Sequence, residues 1–333
     1  MRLILFIVPI VSFFVTLFAI PYWIARARKA GLIGKDMNKY SKPEVPEVGG
    51  IIVIFGFLAG ILLYIAIKTF YIQSIEFVIE ILAVMATILI AAIIGFIDDI
   101  LGWKIGLRQY QKPILCLIAA IPLAVINAGE SYITLPLIGG VDIGILFPLL
   151  IVPIAISGAA NGFNMLAGYN GLEAGMGAII LTSIGVLTLK TEQFVALIAF
   201  SAVAALIAFL YYNKYPAKIF PGDTLTYSIG ALIAAVAILG NVERAALILF
   251  IPYFAELVLK ARGKLRKESF AIPEKDNSLD VKGVYGLEHI AIKLLKKFKP
   301  NHKATEKDVV YLILSSELIL ALLVIWIYGF LII

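Results

Sequence analysis

Residues 77–99, FVIEILAVMATILIAAIIGFIDD, join a long apolar run to two adjacent aspartates. The run carries one charged residue, Glu80, and is long enough to cross a bilayer as a helix, which takes about 20 residues. Asp98 and Asp99 close the run. The stretch therefore predicts a membrane helix that brings two carboxylates to one surface of the bilayer.

The same apolar pattern recurs along the whole chain of 333 residues. With 62% hydrophobic and 15% charged residues, the composition lies outside the roughly 45–50% apolar and 25% charged usage of soluble domains. We predict an all-α, polytopic integral membrane protein that forms one membrane domain over residues 1–333, with about ten transmembrane helices. The predicted spans are 3–24, 48–72, 77–97, 113–127, 145–162, 172–189, 194–212, 224–239, 245–259 and 309–332.

Basic residues define the orientation of these spans. All but four of the 28 lysines and arginines fall in loops on one side. The four on the other side are Arg2, Lys68, Lys190 and Arg244. By the positive-inside rule the lysine-rich side is cytoplasmic, which predicts that both termini lie outside.

The counts of cysteine, histidine and charge exclude several classes of protein. A single cysteine, Cys116, excludes an intramolecular disulfide, and two histidines leave too few soft ligands for a structural zinc site. Any catalytic metal would be held by oxygen atoms. The net charge of +6 comes from residues that border apolar spans, so we expect anionic lipid heads or phosphorylated substrates as partners and no nucleic acid.

A transporter is the main alternative to an enzyme at this point. Most ionisable and amide side chains lie in the predicted cytoplasmic loops, whereas transporters tend to hold them near the middle of the membrane. Glu317, in the last predicted span, is the main exception, and both a packing role and a role in a pathway stay open. Gly56 and Gly60 form a small-xxx-small pair, which favours close helix packing.

The longest predicted cytoplasmic loop covers residues 260–308. Within it, residues 286–299 repeat apolar side chains at helical spacing, with lysines between them. This pattern predicts an amphipathic helix on the inner membrane surface. An ordinary surface helix that packs on the loop is the alternative.

Four short polar segments at the cytoplasmic ends of apolar spans carry the side chains suited to chemistry. Neighbouring helical residues point about 100° apart, so we expect Asp98 and Asp99 to have different partners, one a cation and the other a loop. Residues 161–175, NGFNMLAGYNGLEAG, supply three asparagines. Amides suit a site that binds an anionic phosphate and reads a base.

Residues 215–224, YPAKIFPGDT, place Asp223 where a loop enters the eighth span. A carboxylate there suits a hard cation, and an N-terminal helix cap is the alternative. The fourth segment combines residues 35–39 and 46–50.

These segments together resemble one family, the polyprenyl-phosphate N-acetylhexosamine-1-phosphate transferases of glycosyltransferase family 4. The matching stretches are 31–39, 46–47, 95–99, 161–175 and 215–224, in the order and spacing of the family. The pattern N-x-x-N-x-x-x-G-x-N-G-L-E that begins at Asn161 is highly specific. The resemblance is closest to the eukaryotic and archaeal enzymes that use UDP-GlcNAc and dolichyl phosphate.

The resemblance implies a reaction at the cytoplasmic face: UDP-GlcNAc and dolichyl phosphate give dolichyl-diphosphate-GlcNAc and UMP, the first step of lipid-linked oligosaccharide synthesis for N-glycosylation. Another UDP-N-acetylhexosamine is an alternative donor. The implied partners are UDP-GlcNAc, dolichyl or polyprenyl phosphate and membrane lipids. An archaeal cell membrane is favoured by the short loops and the composition rich in Ile and Lys, and a homodimer stays an open possibility.

The resemblance also implies roles for single residues. Asp223 and Asn164 match the ligands of Mg²⁺, for which Mn²⁺ is a substitute, and Asp98, Asp99 and Lys112 match the catalytic aspartate pair and the lysine on phosphate. Gly168 and Phe220 match the pair on either side of uracil. The remaining substrate-binding candidates are Met37, Glu47, Asn161, Asn170, Arg262 and Arg266, and the two arginines stand where the eukaryotic enzymes carry an Arg-His-Arg stretch.

The implied chemistry needs no strong base. A phosphate monoester has a second pKa near 6, so the acceptor is largely dianionic at neutral pH and can attack the β-phosphorus directly. Mg²⁺, Lys112 and a loop arginine would screen the charges that meet there. A double displacement through Asp98 or Asp99 is the second mechanism considered.

Overall fold

The computed structural model describes residues 4–135 and 139–331, which form a set of packed helices with three short antiparallel hairpins. The predicted all-α class is confirmed in these residues. The ends of the first and last predicted spans, residues 3 and 332, lie outside the described part. In chain order the elements are α1 (Ile4–Ala30), β1 (Ile33–Lys35), β2 (Glu44–Pro46), α2 (Gly50–Ala66) with a π-helical continuation (Ile67–Ile72), α3 (Val78–Ile105), α4 (Gln111–Ala119), α5 (Ile121–Val125), β3 (Tyr132–Leu135), β4 (Gly139–Asp142), a π-helical turn (Phe147–Ile151), α6 (Val152–Met165), α7 (Leu172–Thr188), α8 (Gln193–Asn213), α9 (Gly222–Leu239), α10 (Glu243–Leu249), α11 (Ile251–Arg262), β5 (Ile272–Pro273), β6 (Leu279–Asp280), α12 (Leu287–Phe298), α13 (Glu306–Trp326) and a π-helical end (Ile327–Leu331).

Seven helices in the described residues are long and apolar enough to cross a membrane. The other three predicted spans coincide with shorter helices: α4 with α5, α7, and the pair α10 and α11. That last pair is broken at Phe250, and Pro252 at the start of α11 explains the break because it lacks a backbone N–H. Seven spans are thus supported by length and composition, and ten stays a prediction.

Helix α9 lies at the centre of the protein. It packs against α2, α3, α6, α7 and α8, and nearly all of its side chains are buried. Its small residues make this possible: a Cβ on Gly230 would overlap the carbonyl oxygen of Ala159 on α6. Small residues let helix backbones approach closely in membranes, where association relies on packing.

The pair Gly56 and Gly60 packs α2 against α1, as the small-xxx-small spacing predicts. A Cβ at Gly56 would overlap the hydroxyl of Thr16, and one at Gly60 would overlap the hydroxyl of Ser12. The first helix is therefore an integral part of the bundle.

Residues 260–308 fold onto the end of the bundle as the β5–β6 hairpin followed by α12. The predicted helix at 286–299 is present as α12, and one of its faces is buried where it contacts α11 and α13. Its position on a membrane surface stays a prediction. On α13, Glu317 is fully buried and both of its carboxylate oxygens lack a hydrogen-bond partner within the described residues.

Candidate active site

Lys112 lies between two carboxylates that come from different helices. Its Nζ is 2.6 Å from Oδ2 of Asp98, near the end of α3, and 3.0 Å from Oδ2 of Asp223, in the first turn of α9. Lys112 itself begins α4, so the three side chains meet only when three helix ends are packed together. With all three groups ionised the cluster is negative, and a polyanionic substrate would need a further cation to bind beside it.

Asp99 points away from Lys112 and completes the N-terminus of α9. Its Oδ1 accepts a hydrogen bond from the backbone N–H of Asp223 (2.7 Å), and its Oδ2 accepts from the N–H (3.0 Å) and hydroxyl (2.6 Å) of Thr224. These N–H groups are among the first of a helix, which have no partner inside the helix itself. The two neighbouring aspartates therefore have different partners, as their 100° separation predicts.

The hydrogen bonds that Asp99 accepts also bear on whether Asp223 is a cation ligand or the N-terminal cap of α9. Pro221 occupies the N-cap position of α9 and makes no side-chain cap, and the carboxylate of Asp223 points to Lys112 instead. Asp223 is thus available for chemistry rather than used as a helix cap.

Three glycines allow this close approach of helix ends. A Cβ on Gly95 of α3 would overlap the carbonyl oxygen of Asp223, and one on Gly50 of α2 would overlap the backbone of Leu225. Gly222 has a φ of +71°, a conformation that favours glycine, and lies against the carboxylate of Asp99.

The amide of Asn164, at the end of α6, lies beside Asp223. Its Nδ2 is 3.4 Å from Oδ2 of Asp223 and 3.2 Å from the hydroxyl of Tyr227, and its Oδ1 accepts from the hydroxyl of Thr226 at 2.8 Å. The hydroxyls of Tyr227 and Thr226 both donate and accept, so they would also accommodate the reversed amide. With its oxygen toward the carboxylate of Asp223, the amide would need a cation between the two oxygens.

The fit of this pair to a metal can be judged from its donor atoms. A carboxylate oxygen and an amide oxygen are hard ligands of the kind Mg²⁺ prefers. Across residues 4–135 and 139–331 no group of three or more His, Cys, Asp and Glu could hold a metal by itself. Mg²⁺ commonly binds one or two protein oxygens and completes its shell with substrate phosphates and water, so Asp223 and Asn164 fit a metal that arrives with a diphosphate.

Asn170 lies in a buried polar cluster rather than on an open wall. Its Oδ1 accepts from Nζ of Lys39 (2.9 Å) and from the N–H of Ala217 (2.7 Å), and its own N–H donates to Glu306 (2.8 Å). Its Nδ2 donates to Asp36 at 3.2 Å, and Asp36 also pairs with Lys39. Its side-chain oxygen, side-chain nitrogen and backbone N–H all have protein partners, so Asn170 joins the loop after α6 to the loop before α9.

Asn161 lies one turn before Asn164 on α6, and its Nδ2 donates to the carbonyl of Ser157 at 2.8 Å. Met37 is half-buried in the turn between β1 and β2.

Glu47 and Phe220 lie next to each other along two adjacent segments. The N–H of Phe220 donates to the carbonyl of Pro46 (2.8 Å), and the N–H of Gly49 donates to the carbonyl of Phe220 (2.9 Å). The carboxylate of Glu47 covers Gly34, where any Cβ would overlap it. Burial, and then the negative charge of Asp99, raise the pKa of Glu47, which places this carboxylate near the acidic cluster.

Gly168 contacts an aromatic ring that the sequence did not single out. A Cβ on Gly168, whose φ is +103°, would lie 2.9 Å from the ring of Phe270. Asn38 holds the two segments together, because its Nδ2 donates to the carbonyl of Gly168 (2.9 Å) and its Oδ1 accepts from the N–H of Ala271 (3.1 Å). Phe270 thus packs directly against Gly168.

Arg262 and Arg266 are exposed at and just after the end of α11. The turn that carries them is linked to the loop before α4, since Nε2 of Gln109 donates to the carbonyl of Leu265 at 2.7 Å. Gln109 precedes Lys112 by three residues, so the basic turn lies next to the segment that leads to the lysine–carboxylate cluster.

In the described residues, seven helices that are apolar and long enough to cross a membrane, with a lysine and two carboxylates brought together where helix ends meet, indicate a helical membrane protein with a charged site. The chain belongs to glycosyl transferase family 4, whose model matches residues 81–241. That segment contains Asp98, Asp99, Lys112, Asn164 and Asp223.

Relatives extend the match beyond this segment. A Saccharolobus solfataricus protein, provisionally named UDP-N-acetylglucosamine–dolichyl-phosphate N-acetylglucosaminephosphotransferase, is 39% identical over 97% of each chain. The Dictyostelium discoideum protein of that name is 30% identical and covers 67% of this chain and 63% of its own length. A phospho-N-acetylmuramoyl-pentapeptide-transferase of Enterococcus faecalis is 28% identical over 76% of this chain and 80% of its own.

Proposed function

We propose that the protein transfers GlcNAc-1-phosphate from UDP-GlcNAc to dolichyl phosphate or another polyprenyl phosphate, releasing UMP. The observation that carries this proposal is Lys112 held between Asp98 and Asp223, with Asn164 beside them, inside the segment that matches the family. The name of the relative at 39% identity over nearly the full length supports the choice of donor and acceptor.

We place this reaction at the cytoplasmic face of the cell membrane, with about ten spans and both termini outside. The lysine-rich loops and the lysine–carboxylate cluster occupy the same end of the helices, which supports the cytoplasmic assignment. The acceptor then reaches the cluster with its phosphate at the surface and its isoprenoid chain along apolar helices.

Mg²⁺ held by Asp223, Asn164 and the donor diphosphate would supply the positive charge that this negative cluster lacks. Lys112 donates hydrogen bonds to the phosphate oxygens and so screens the dianionic acceptor from the diphosphate. Asp98 orients Lys112, and its Oδ1 also accepts from the N–H of Leu107 at 2.5 Å, which anchors the loop between α3 and α4.

On the nucleoside side, Gly168 and Phe220 hold the uracil, with Met37 and Glu47 nearby. The exposed Arg262 and Arg266 reach toward the sugar phosphate from the turn tied to Gln109.

We propose direct attack of the acceptor phosphate on the β-phosphorus of UDP-GlcNAc. A new P–O bond forms to the acceptor while the bond to the UMP oxygen breaks, so UMP leaves with its phosphate and no enzyme intermediate is needed. The three hydrogen bonds that Asp99 accepts from α9 support this choice, because they occupy the oxygens that a covalent route through Asp99 would use.

The mechanism is tested with UDP-GlcNAc alone. Without polyprenyl phosphate, we expect no stoichiometric burst of UMP and no labelled sugar phosphate on the denatured enzyme. A burst that is independent of lipid and disappears in Asp98→Asn or Asp99→Asn would replace direct attack by the double displacement.

The function is tested by release of UMP from UDP-GlcNAc by the purified full-length protein. We expect release only when polyprenyl phosphate and Mg²⁺ are both present, and slower release from UDP-GalNAc. Movement of lipid or nucleotide sugar across vesicles without any UMP release would instead support a transporter.

A further inference from the structure

A cavity lined by polar and apolar side chains lies at the end of the helices opposite the lysine–carboxylate cluster. Its volume is about 400 Å³, within the roughly 300–1,000 Å³ of small-molecule sites. Its walls come from the start of α1, the π-helical end of α2 with the turn that follows, and the α7–α8 connection. Helix α2 starts beside the first turn of α9, and Lys68 follows Gly50 by 18 residues, a distance of roughly 27 Å along a helix.

Lys68 is the buried charge of this cavity. Only 6% of the residue is exposed, and its ammonium group lies 5.8 Å from the ring centre of Tyr64 and 5.7 Å from that of Phe77. Within residues 4–135 and 139–331 it has no carboxylate within ion-pair distance and no side-chain hydrogen bond. Cation–π contacts offset only part of the cost of burying such a charge, so an anionic ligand would stabilise it further.

The surrounding backbone fixes Lys68 and the rings in place. The carbonyl of Lys68 accepts from the N–H groups of Gln73 and Ser74, which closes the π-helical turn. Phe77 has a φ of +58°, rare for an aromatic residue, and its ring stacks on Phe194 with centroids 4.4 Å apart. Lys68 therefore lies beside the stacked rings of Phe77 and Phe194, which come from segments distant in sequence.

The rest of the lining is amphipathic. Leu5, Phe194 and Leu197 provide apolar walls, while Lys190 and Glu192 stand at the α7–α8 connection and Glu76 lies in the turn before α3. None of these three charges forms an ion pair in the described part of the chain. Large apolar side chains next to the cavity, such as Tyr71 and Ile75, are more than four-fifths exposed, as expected of a surface that faces lipid.

We propose that this cavity binds an anionic phospholipid, with the phosphate on Lys68 and a lipid chain along the apolar wall. A lysine ammonium binds phosphate as a compact point charge, and the aromatic wall suits the first carbons of the lipid. A lipid rather than a soluble phosphate fits because the cavity is lined by the ends of helices that are apolar enough to cross a membrane, and because exposed apolar side chains adjoin it in the chain. The site is separate from the proposed transfer site at the other end.

The test titrates the full-length protein in detergent with dioleoyl phosphatidylglycerol and counts bound lipids by native mass spectrometry. We expect one tight site that Lys68→Gln weakens about tenfold or more. Lys68→Arg, which keeps the charge, should retain most of the affinity. Lys29→Gln removes an exposed lysine from the opposite end of α1 and should leave the tight site unchanged.

Two further probes separate the sources of phosphate. Dioleoylglycerol, which lacks the anion, should not occupy the site, and glycerol phosphate at millimolar concentration should not displace the phospholipid. Equal binding by wild type and a folded Lys68→Gln variant would overturn the proposal. Displacement by glycerol phosphate alone would replace the lipid with a soluble anion and also overturn it.

Discussion

Two lysines at opposite ends of the same set of helices have opposite environments. Lys112 lies between Asp98 and Asp223, both within 3.0 Å of its Nζ. The ammonium group of Lys68 lies near the rings of Tyr64 and Phe77 and forms no ion pair in the described residues. We proposed a metal beside the lysine that already has two carboxylates, and an anionic lipid on the lysine that has no carboxylate partner. Burial alone therefore does not predict what a buried lysine binds.

The largest effect on turnover is expected from substitution of Asp223, the carboxylate proposed to bind Mg²⁺. Asp223→Asn should lower UMP release below about one thousandth of the wild-type rate, because a hard cation loses its anionic ligand while the side chain keeps its shape. The measurement is turnover over a range of Mg²⁺ concentrations, with thermal unfolding as the control for folding. Near-normal turnover would move the metal away from Asp223.

The next effect concerns the lysine that Asp223 holds. Lys112→Ala should lower turnover by about 10²–10³-fold through lost screening of the reacting phosphates. Lys29→Ala, an exposed lysine at the same end of the protein, serves as the matched loss of one positive charge and should leave turnover near the wild-type rate. A rate unaffected by Lys112→Ala would mean that the phosphates bind elsewhere.

Disturbing the close packing of α3 against α9 beside the lysine–carboxylate cluster should lower stability. Gly95→Ala should lower the free energy of unfolding by about 1–3 kcal/mol, because its Cβ would overlap the carbonyl of Asp223. Gly158→Ala on α6 is the matched control: its Cβ meets no atom within 4 Å, and alanine in a helix is favoured over glycine by roughly 0.5–1 kcal/mol. Equal thermal midpoints for both variants would show that α3 and α9 can separate without loss.

The smallest effect is a pH dependence from Glu47. Burial and Asp99 raise its pKa, so the fold favours the protonated form, and the stability this group contributes at low pH is lost as the pH rises through the raised pKa. Glu47→Gln should therefore unfold at a higher temperature than wild type at about pH 8, with the difference shrinking toward about pH 4. Glu44→Gln, in the exposed part of β2, corrects for the loss of a charge. A constant difference across this pH range would contradict the shift.

Much of the site could be predicted because its residues stand where apolar runs end. Asp98, Lys112, Asn164 and Asp223 each lie at such an end, and the structure brings them together. The division between Asp98 and Asp99 followed from helical geometry alone. The number of spans was less certain, because an apolar run such as 245–259 does not show whether a proline inside it breaks the helix.

Contacts between distant segments could not be predicted. Asn170 belongs to a specific motif, yet its buried contacts with Lys39 and Glu306 join residues 131 and 136 positions away. Phe270 has no local signal, since it reaches Gly168 only after the loop beyond α11 folds back. From the sequence, Lys68 was one of four basic residues on the predicted non-cytoplasmic side. Its neighbours could not be predicted, because a single sequence does not show which side chains will surround it.

The cap that Asp99 provides also bears on how the protein is made. Helix α9 obtains its N-terminal partner from a residue 124 positions earlier in the chain rather than from its own sequence. Every nascent chain that stops before residue 222 therefore holds Asp99 without the helix whose N-terminus it caps. Until α9 has entered the membrane and docked on α3, the ribosome-bound protein lacks the carboxylate proposed for the metal. The proposed active site can therefore form only after Asp223 has been synthesised and α9 has packed against α3.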